Sequence, residues 1–227
     1  MTTSPILQSI EAPNTGKKAV ASLTQAFNQR TVQGSTIAVA GVYSHDVTRK
    51  GVMGDSGSNA YIPCTWEADT TWNGDEWLQT FACPGAAPAQ SLIYSNVWTD
   101  YVGFLAVEIA APAMLAGFRS KWTRDVSGPA RISTGPIKLT AGGQILTVAW
   151  AMNTTENGTG PLMPSVSTGV ENPGGDWFAY DQKAGAHIAT WGWGIATRPA
   201  GQYTVEFLAP AGADNDSFLC AGLAFLL

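Results

Sequence analysis

The sequence predicts an all-β protein: a single antiparallel jelly-roll-like β-sandwich over residues 18–227, behind an extended N-terminal arm at residues 1–17. Three observations predict it. Short apolar runs with period-two alternation recur along the chain, separated by turn residues at roughly 8–12-residue spacing. Glycine is abundant at 25 and proline stands at 13, while only 13% of residues are charged, a balance that suits tight turns between strands better than amphipathic helices. The chain also finishes on two strand patterns. Tyr203, Val205 and Phe207 alternate with Gln202, Thr204 and Glu206, and the run 217–227 is apolar on both faces. At 227 residues one undivided domain is sufficient.

The elements follow in order. Residues 1–17 carry Pro13, Asn14 and Gly16 and read as a polar arm, flexible or docked on a partner. Residues 17–28 fit two patterns: Val20, Leu23 and Phe27 make a helical stripe, whereas Ala19, Ala21, Leu23 and Phe27 make a strand face, and the β context favours a strand. A Gln33-Gly34 turn leads into a strand at 35–43 with Ile37, Val39 and Tyr43 on one face. After a loop at 51–57, residues 60–66 resume as a strand whose Pro63 requires an edge or a bulge, because proline gives the ladder no donor. Strands at 77–83, 91–98 and 102–110 come next, then 137–139, 144–152, 163–167, 176–181, 187–196 and the two terminal runs. Residues 153–164 read as an exposed loop, and no repeat of fixed period is visible. In the last strand both faces need burial. Leu219, Leu223, Phe225 and Leu227 are expected to make a subunit or inter-sheet contact.

Charge narrows the function. The net charge of −5, with basic residues grouped only at Lys17-Lys18, Arg49-Lys50 and Arg119 to Arg124, argues against nucleic acid, because no cluster exists to displace phosphate counterions. A surface this poor in charge suits a protein covered by neighbours in an assembly. The odd set Cys64, Cys83 and Cys220 reads as core thiols, with Cys64–Cys83 across neighbouring strands as the alternative. No signal peptide and no membrane span are expected, which implies synthesis in a cytoplasm.

Four constellations could carry chemistry. Glu108 lies in an apolar strand beside Phe104 and Ala106, and a buried carboxylate must find donors; a structural role bonded to loop amides or an arginine is favoured over a general acid. No carboxylate pair stands out at glycosidase spacing, no G-x-S-x-G is present, and His45 and His187 are the two histidines. Calcium could be held at Asp55/Asn59 or Asp214/Asp216, although Asx turns explain both runs without an ion and no cofactor is expected. Among nine tryptophans, Trp66, Trp72 and Trp77 flank residues 67–76, which read as a polar loop. There Trp72 could stack on a sugar whose hydroxyls meet Asp69, Asn73 and Asp75, or it could cap the sandwich or fill a subunit contact. Trp191 and Trp193, spaced by Gly192 and followed by Gly194, read as core packing with bulges.

The strand at 35–40, the run Gly54-Asp55-Ser56-Gly57-Ser58-Asn59-Ala60-Tyr61, Ile93-Tyr94-Ser95-Asn96, Phe104 to Ile109 and the closing strands from Gly201 together resemble a jelly-roll-like β-sandwich domain family of tailed-bacteriophage virion proteins, also found in some bacterial surface proteins. The chain departs from it in lacking a glycine soon after Glu108, where Ala110-Ala111-Pro112 stand. The resemblance implies a non-enzymatic virion component, a head decoration, tail or fibre protein, that associates with itself as a trimer and with other virion proteins. It brings no catalytic set. The alternatives are a lectin-like module for host surface glycans and a glycan-degrading enzyme.

Overall fold

The computed structural model describes residues 4–13, 18–44, 50–70, 76–99, 101–110, 113–155, 172–182, 185–209 and 211–227. They form strands β1 (Ile6–Pro13), β2 (Val20–Ala26), β3 (Thr36–Ser44), β4 (Val52–Asp55), β5 (Ile62–Asp69), β6 (Glu76–Cys83), β7 (Ser91–Thr99) and β8 (Val102–Ile109) in the first half. The second half contributes β9 (Met114–Val126), β10 (Arg131–Leu139), β11 (Gly143–Asn153), β12 (Asn172–Gln182), β13 (Gly185–Arg198), β14 (Gly201–Leu208) and β15 (Asp216–Leu226). The strand pairings are antiparallel, and among the described residues there is no helix. The all-β antiparallel sandwich expected from the sequence is what the chain forms, in four layers.

Two five-stranded sheets make the middle, in the orders β1-β8-β3-β6-β5 and β12-β13-β11-β15-β9. Because side chains alternate across a strand, each sheet has two apolar faces to cover. The inner faces cover each other: Ala38, Ala40 and Val42 of β3 share a core with Leu146, Val148 and Trp150 of β11 and with Leu219, Leu223 and Phe225 of β15. Small side chains on β3 thus meet large ones on β11, which lets the layers interdigitate. The outer face of the first sheet is covered by the three-stranded layer β2-β7-β4, and that of the second by the pair β10-β14. Tyr94 of β7 fits so closely that a Cβ at Gly41 or Gly51 would come within 2.7 Å or 2.4 Å of its ring. These glycines are the space the tyrosine occupies.

The two halves repeat one plan. The order β1-β8-β3-β6-β5 becomes β9-β15-β11-β13-β12, and β2-β7 becomes β10-β14; β4 has no counterpart among the described residues. The repetition is one of topology and register, with no fixed period in the residues.

Several expectations change. Residues 6–13 of the supposed arm are β1, paired with β8 from Ile6↔Ile109 to Pro13↔Gly103, with Ile10 and Ala12 buried. The sequence hid this strand because a bulge at Leu7 breaks its alternation. Residues 20–26 are indeed a strand, again bulged, so that Val20 and Leu23 together face the core. The loop at 51–57 contains β4, and Pro63 stands at a bulge in edge strand β5. Strand β9 was not anticipated: it is an edge strand, bulged at Ala116, with Arg119, Lys121 and Arg124 exposed, features that blunt an open edge against unwanted pairing. The strand expected at 163–167 lies outside the described residues.

Leu219, Leu223 and Phe225 are fully buried within the single chain, so the contact they make is between sheets. Leu227 follows β15, is 37% exposed, and donates its N–H to the Gln144 carbonyl. Leu223→Ala should therefore cost about 2–5 kcal/mol in chemical denaturation, and Leu223→Asp should remove the cooperative transition altogether. A Leu223→Asp protein with wild-type stability would contradict this seam.

Candidate functional site

Of the residues proposed for a glycan loop, Asp69 is the one that lies among the described residues. Trp72, Asn73 and Asp75 lie outside the described residues, as does His45. Asp69 is not on an exposed loop; it closes β5 and is 1% exposed. The Thr154 hydroxyl donates to its Oδ2 at 2.6 Å, while the Thr154 N–H donates to the Ser217 carbonyl at 2.9 Å. Asp69 thus pins the end of β5 to the end of β11 and the start of β15, across the seam. A second link at the same edge runs from the Ser120 hydroxyl to Glu67 Oε2 at 3.0 Å. Residues 153 and 154, expected in an exposed loop, are buried for this reason.

At this end of the first sheet the other two tryptophans of the group stack. Trp66 and Trp77 lie 4.3 Å apart and nearly parallel, Tyr43 continues the stack beyond Trp77, and the Lys50 ammonium lies 3.9 Å over the Trp66 ring. The Trp66 indole N–H donates to the Tyr43 hydroxyl at 2.9 Å, which fixes the ring plane. Trp77 and Tyr43 are buried; Trp66 is half-buried and presents one face under an exposed lysine. Such a face can take a cation or the apolar side of a sugar ring.

At the opposite end of β8, Glu108 is 1% exposed and bonded as expected for a structural carboxylate. The Val32 N–H donates to Oε1 at 2.6 Å and the Gln8 side-chain amide to Oε2 at 2.6 Å. Gln8 also donates to the Gln29 carbonyl and accepts from the Gln29 N–H. This network fastens β1 and the β2–β3 loop to the first sheet, and it lines a pocket of about 460 Å³. Gln8, Arg30 and Val32 carry no motif; the sole sequence signal for the place was Glu108 itself, a carboxylate on an apolar strand.

The first calcium candidate, Asp55/Asn59, is an Asx turn. Asp55 Oδ1 accepts from the N–H groups of Gly57 and Asn59, and Oδ2 accepts from the Asn59 amide and the Tyr61 hydroxyl, all at 2.8–3.0 Å. Asn59 then holds Ala87 through both its amide oxygen and nitrogen. Burial, followed by the bond to Asp55, pushes the Tyr61 phenol well above its usual range. Asp216 is buried and accepts from Asn153, while the exposed Asp214 stands outside that pair. No group of three metal-ligating side chains occurs among the described residues.

Cys64 and Cys83 belong to neighbouring strands but pack into different cores, Cys64 toward the seam and Cys83 toward the outer layer, so the bridge does not form; Cys220 is also a free thiol. Burial pushes Cys64 up to about 12 and Cys83 up to about 11, the latter with help from the charge of Asp55, and raises Cys220 as well.

No family model, curated protein or solved structure matches this chain.

Two outcomes follow. Asp55→Ala leaves three N–H groups and a phenol without their acceptor and should cost at least about 2 kcal/mol in chemical denaturation; an unchanged midpoint would contradict the turn's role. The thiols give a pH dependence. An unfolded thiol ionises near 9 and the folded ones only well above it, so the stabilising difference is complete below pH 9 and is lost as pH rises toward 11–12. The melting temperature should fall through that window, and iodoacetamide at pH 8 should label the buried Cys83 and Cys220 only after denaturation. Rapid native labelling would show that they are not buried.

Proposed function

We propose that the chain is a non-enzymatic structural component of a bacteriophage virion, a head decoration or a tail or fibre protein, that assembles as a homo-oligomer, a trimer, with other virion proteins. One observation carries this reading: the carboxylates placed to do chemistry are consumed in holding the molecule together. Asp55 locks a turn, Asp69 pins the seam, Glu108 fastens β1, and Asp216 holds the end of β11. The charge-poor composition supports the assembly part, since such surfaces suit burial by neighbours.

Strand order supports the jelly-roll part. A rolled-up hairpin pairs its first strand with its last and so on inward. Here β1 pairs with β8, β2 with β7 and β3 with β6; in the second half β9 pairs with β15, β10 with β14 and β11 with β13.

Carbohydrate binding is a second reading, favoured by the half-buried Trp66 face under the exposed Lys50. The degrading-enzyme reading has less support, since Glu108 and Asp69 are both held by protein donors.

Light scattering of the purified chain together with electron microscopy of antibody-labelled virions tests the leading reading. The expected result is an oligomer and regular labelling of one part of the particle. A monodisperse monomer absent from every particle would overturn it.

A further inference from the structure

The repeated plan of the two halves supplies an internal control for what the fold requires. In the first half, the β8 face that packs against the outer layer ends in Glu108. In the second half, the corresponding face of β15 ends in Ala224 and Leu226, both part of an apolar core. The same strand at the same place in the same plan is therefore completed by hydrocarbon. A buried carboxylate costs more than a buried methyl group unless something rewards it. Fastening β1 does not demand the carboxylate either, because the corresponding edge strand β9 is held to β15 with Met114 opposite Leu226.

The surroundings of Glu108 are those of a binding pocket. The 460 Å³ pocket lies between β1 and the loop 28–32, and its size is within the range of small-molecule sites. Among the described residues only neutral donors, Gln8 and Val32, reach Glu108, and they use two of a carboxylate's roughly four acceptor positions. Arg30 lines the same pocket, is exposed, and makes no ion pair among the described residues. Asn28 adds an exposed side-chain amide that donates one N–H to the Ser9 carbonyl at 3.4 Å and keeps a second, and Leu7 and Val32, 46% and 54% exposed, add aliphatic walls.

We propose that this pocket binds a saccharide. A cation would meet Arg30 and an anion would meet Glu108, whereas a neutral polyol satisfies both: its hydroxyls donate to the free acceptor positions of Glu108 and accept from Arg30 and Asn28. The C–H face of a pyranose lies against Leu7 and Val32. The site is separate from the aromatic stack, since Glu108 pairs with Ile37 near the start of β3 while Tyr43 is near its end, roughly 20 Å away along the strand. It does not depend on the virion reading.

The test is a glycan microarray with the full chain, followed by calorimetric titration of the strongest saccharide against Arg30→Ala, Asn28→Ala and, as a control at the other end, Trp66→Ala. Arg30 is exposed, so Arg30→Ala should keep the wild-type melting temperature, while Asn28→Ala, which also loses the long bond to the Ser9 carbonyl, should lower it slightly at most. The expected result is binding of at least one saccharide, weakened tenfold or more by Arg30→Ala and by Asn28→Ala and unchanged by Trp66→Ala. No bound saccharide, or binding that survives both pocket variants, overturns the proposal. Loss in Trp66→Ala with retention in Arg30→Ala also overturns it, while leaving carbohydrate binding at the aromatic end in place.

Discussion

Strand β15 is apolar on both faces, and the rest of the molecule is arranged to keep both away from water. Leu219, Leu223 and Phe225 face the first half, and Phe218, Cys220 and Ala224 face the β10-β14 layer. A fully buried Leu or Phe contributes roughly 1.5–3 kcal/mol. A strand with such residues on each side therefore needs a layer on each side, and so does its neighbour β11. That requirement makes the second sheet an inner layer. The first sheet answers it with β3 and β8, themselves apolar on both faces, and so needs an outer cover of its own.

Polar groups then fix what apolar burial leaves undetermined. The hydrophobic contact is non-directional, and the small-against-large match of β3 on β11 selects one registration. Asp69 with Thr154, and Glu67 with Ser120, tie the halves at the edge formed by β5 and β9. Glu108 with Gln8 and Val32 ties the first strand into the sheet at the other end. The carboxylates that look catalytic in a sequence are thus fasteners in the fold. Glu108 occupies a position that the second half fills with hydrocarbon, Ala224 and Leu226, and it borders a pocket.

Most of the strands were legible because their alternation is intact: Ile37, Val39 and Tyr43 face one core while Ala38, Ala40 and Val42 face the other. Legibility failed where a bulge resets the alternation, as at Leu7 in β1 and Ala116 in β9, since a one-residue insertion exchanges the faces. The doubled plan was invisible because it resides in strand order, and corresponding faces carry different residues, alanines on β3 and leucine or tryptophan on β11. Of the site, Glu108 was readable as an anomaly. Its partners Gln8 and Val32 and the pocket residue Arg30 were not, because they carry no signal until the β2–β3 loop folds against β1.

Hydrogen exchange followed by mass spectrometry tests most directly whether the inter-sheet seam governs the molecule. The central strands β3, β8, β11 and β15 should exchange last and together, at the free energy of global unfolding, with β2, β4, β10 and β14 exchanging earlier. If the two halves instead exchanged at separate free energies, or if β11 and β15 exchanged before the outer layers, the seam would not be the contact that holds the fold.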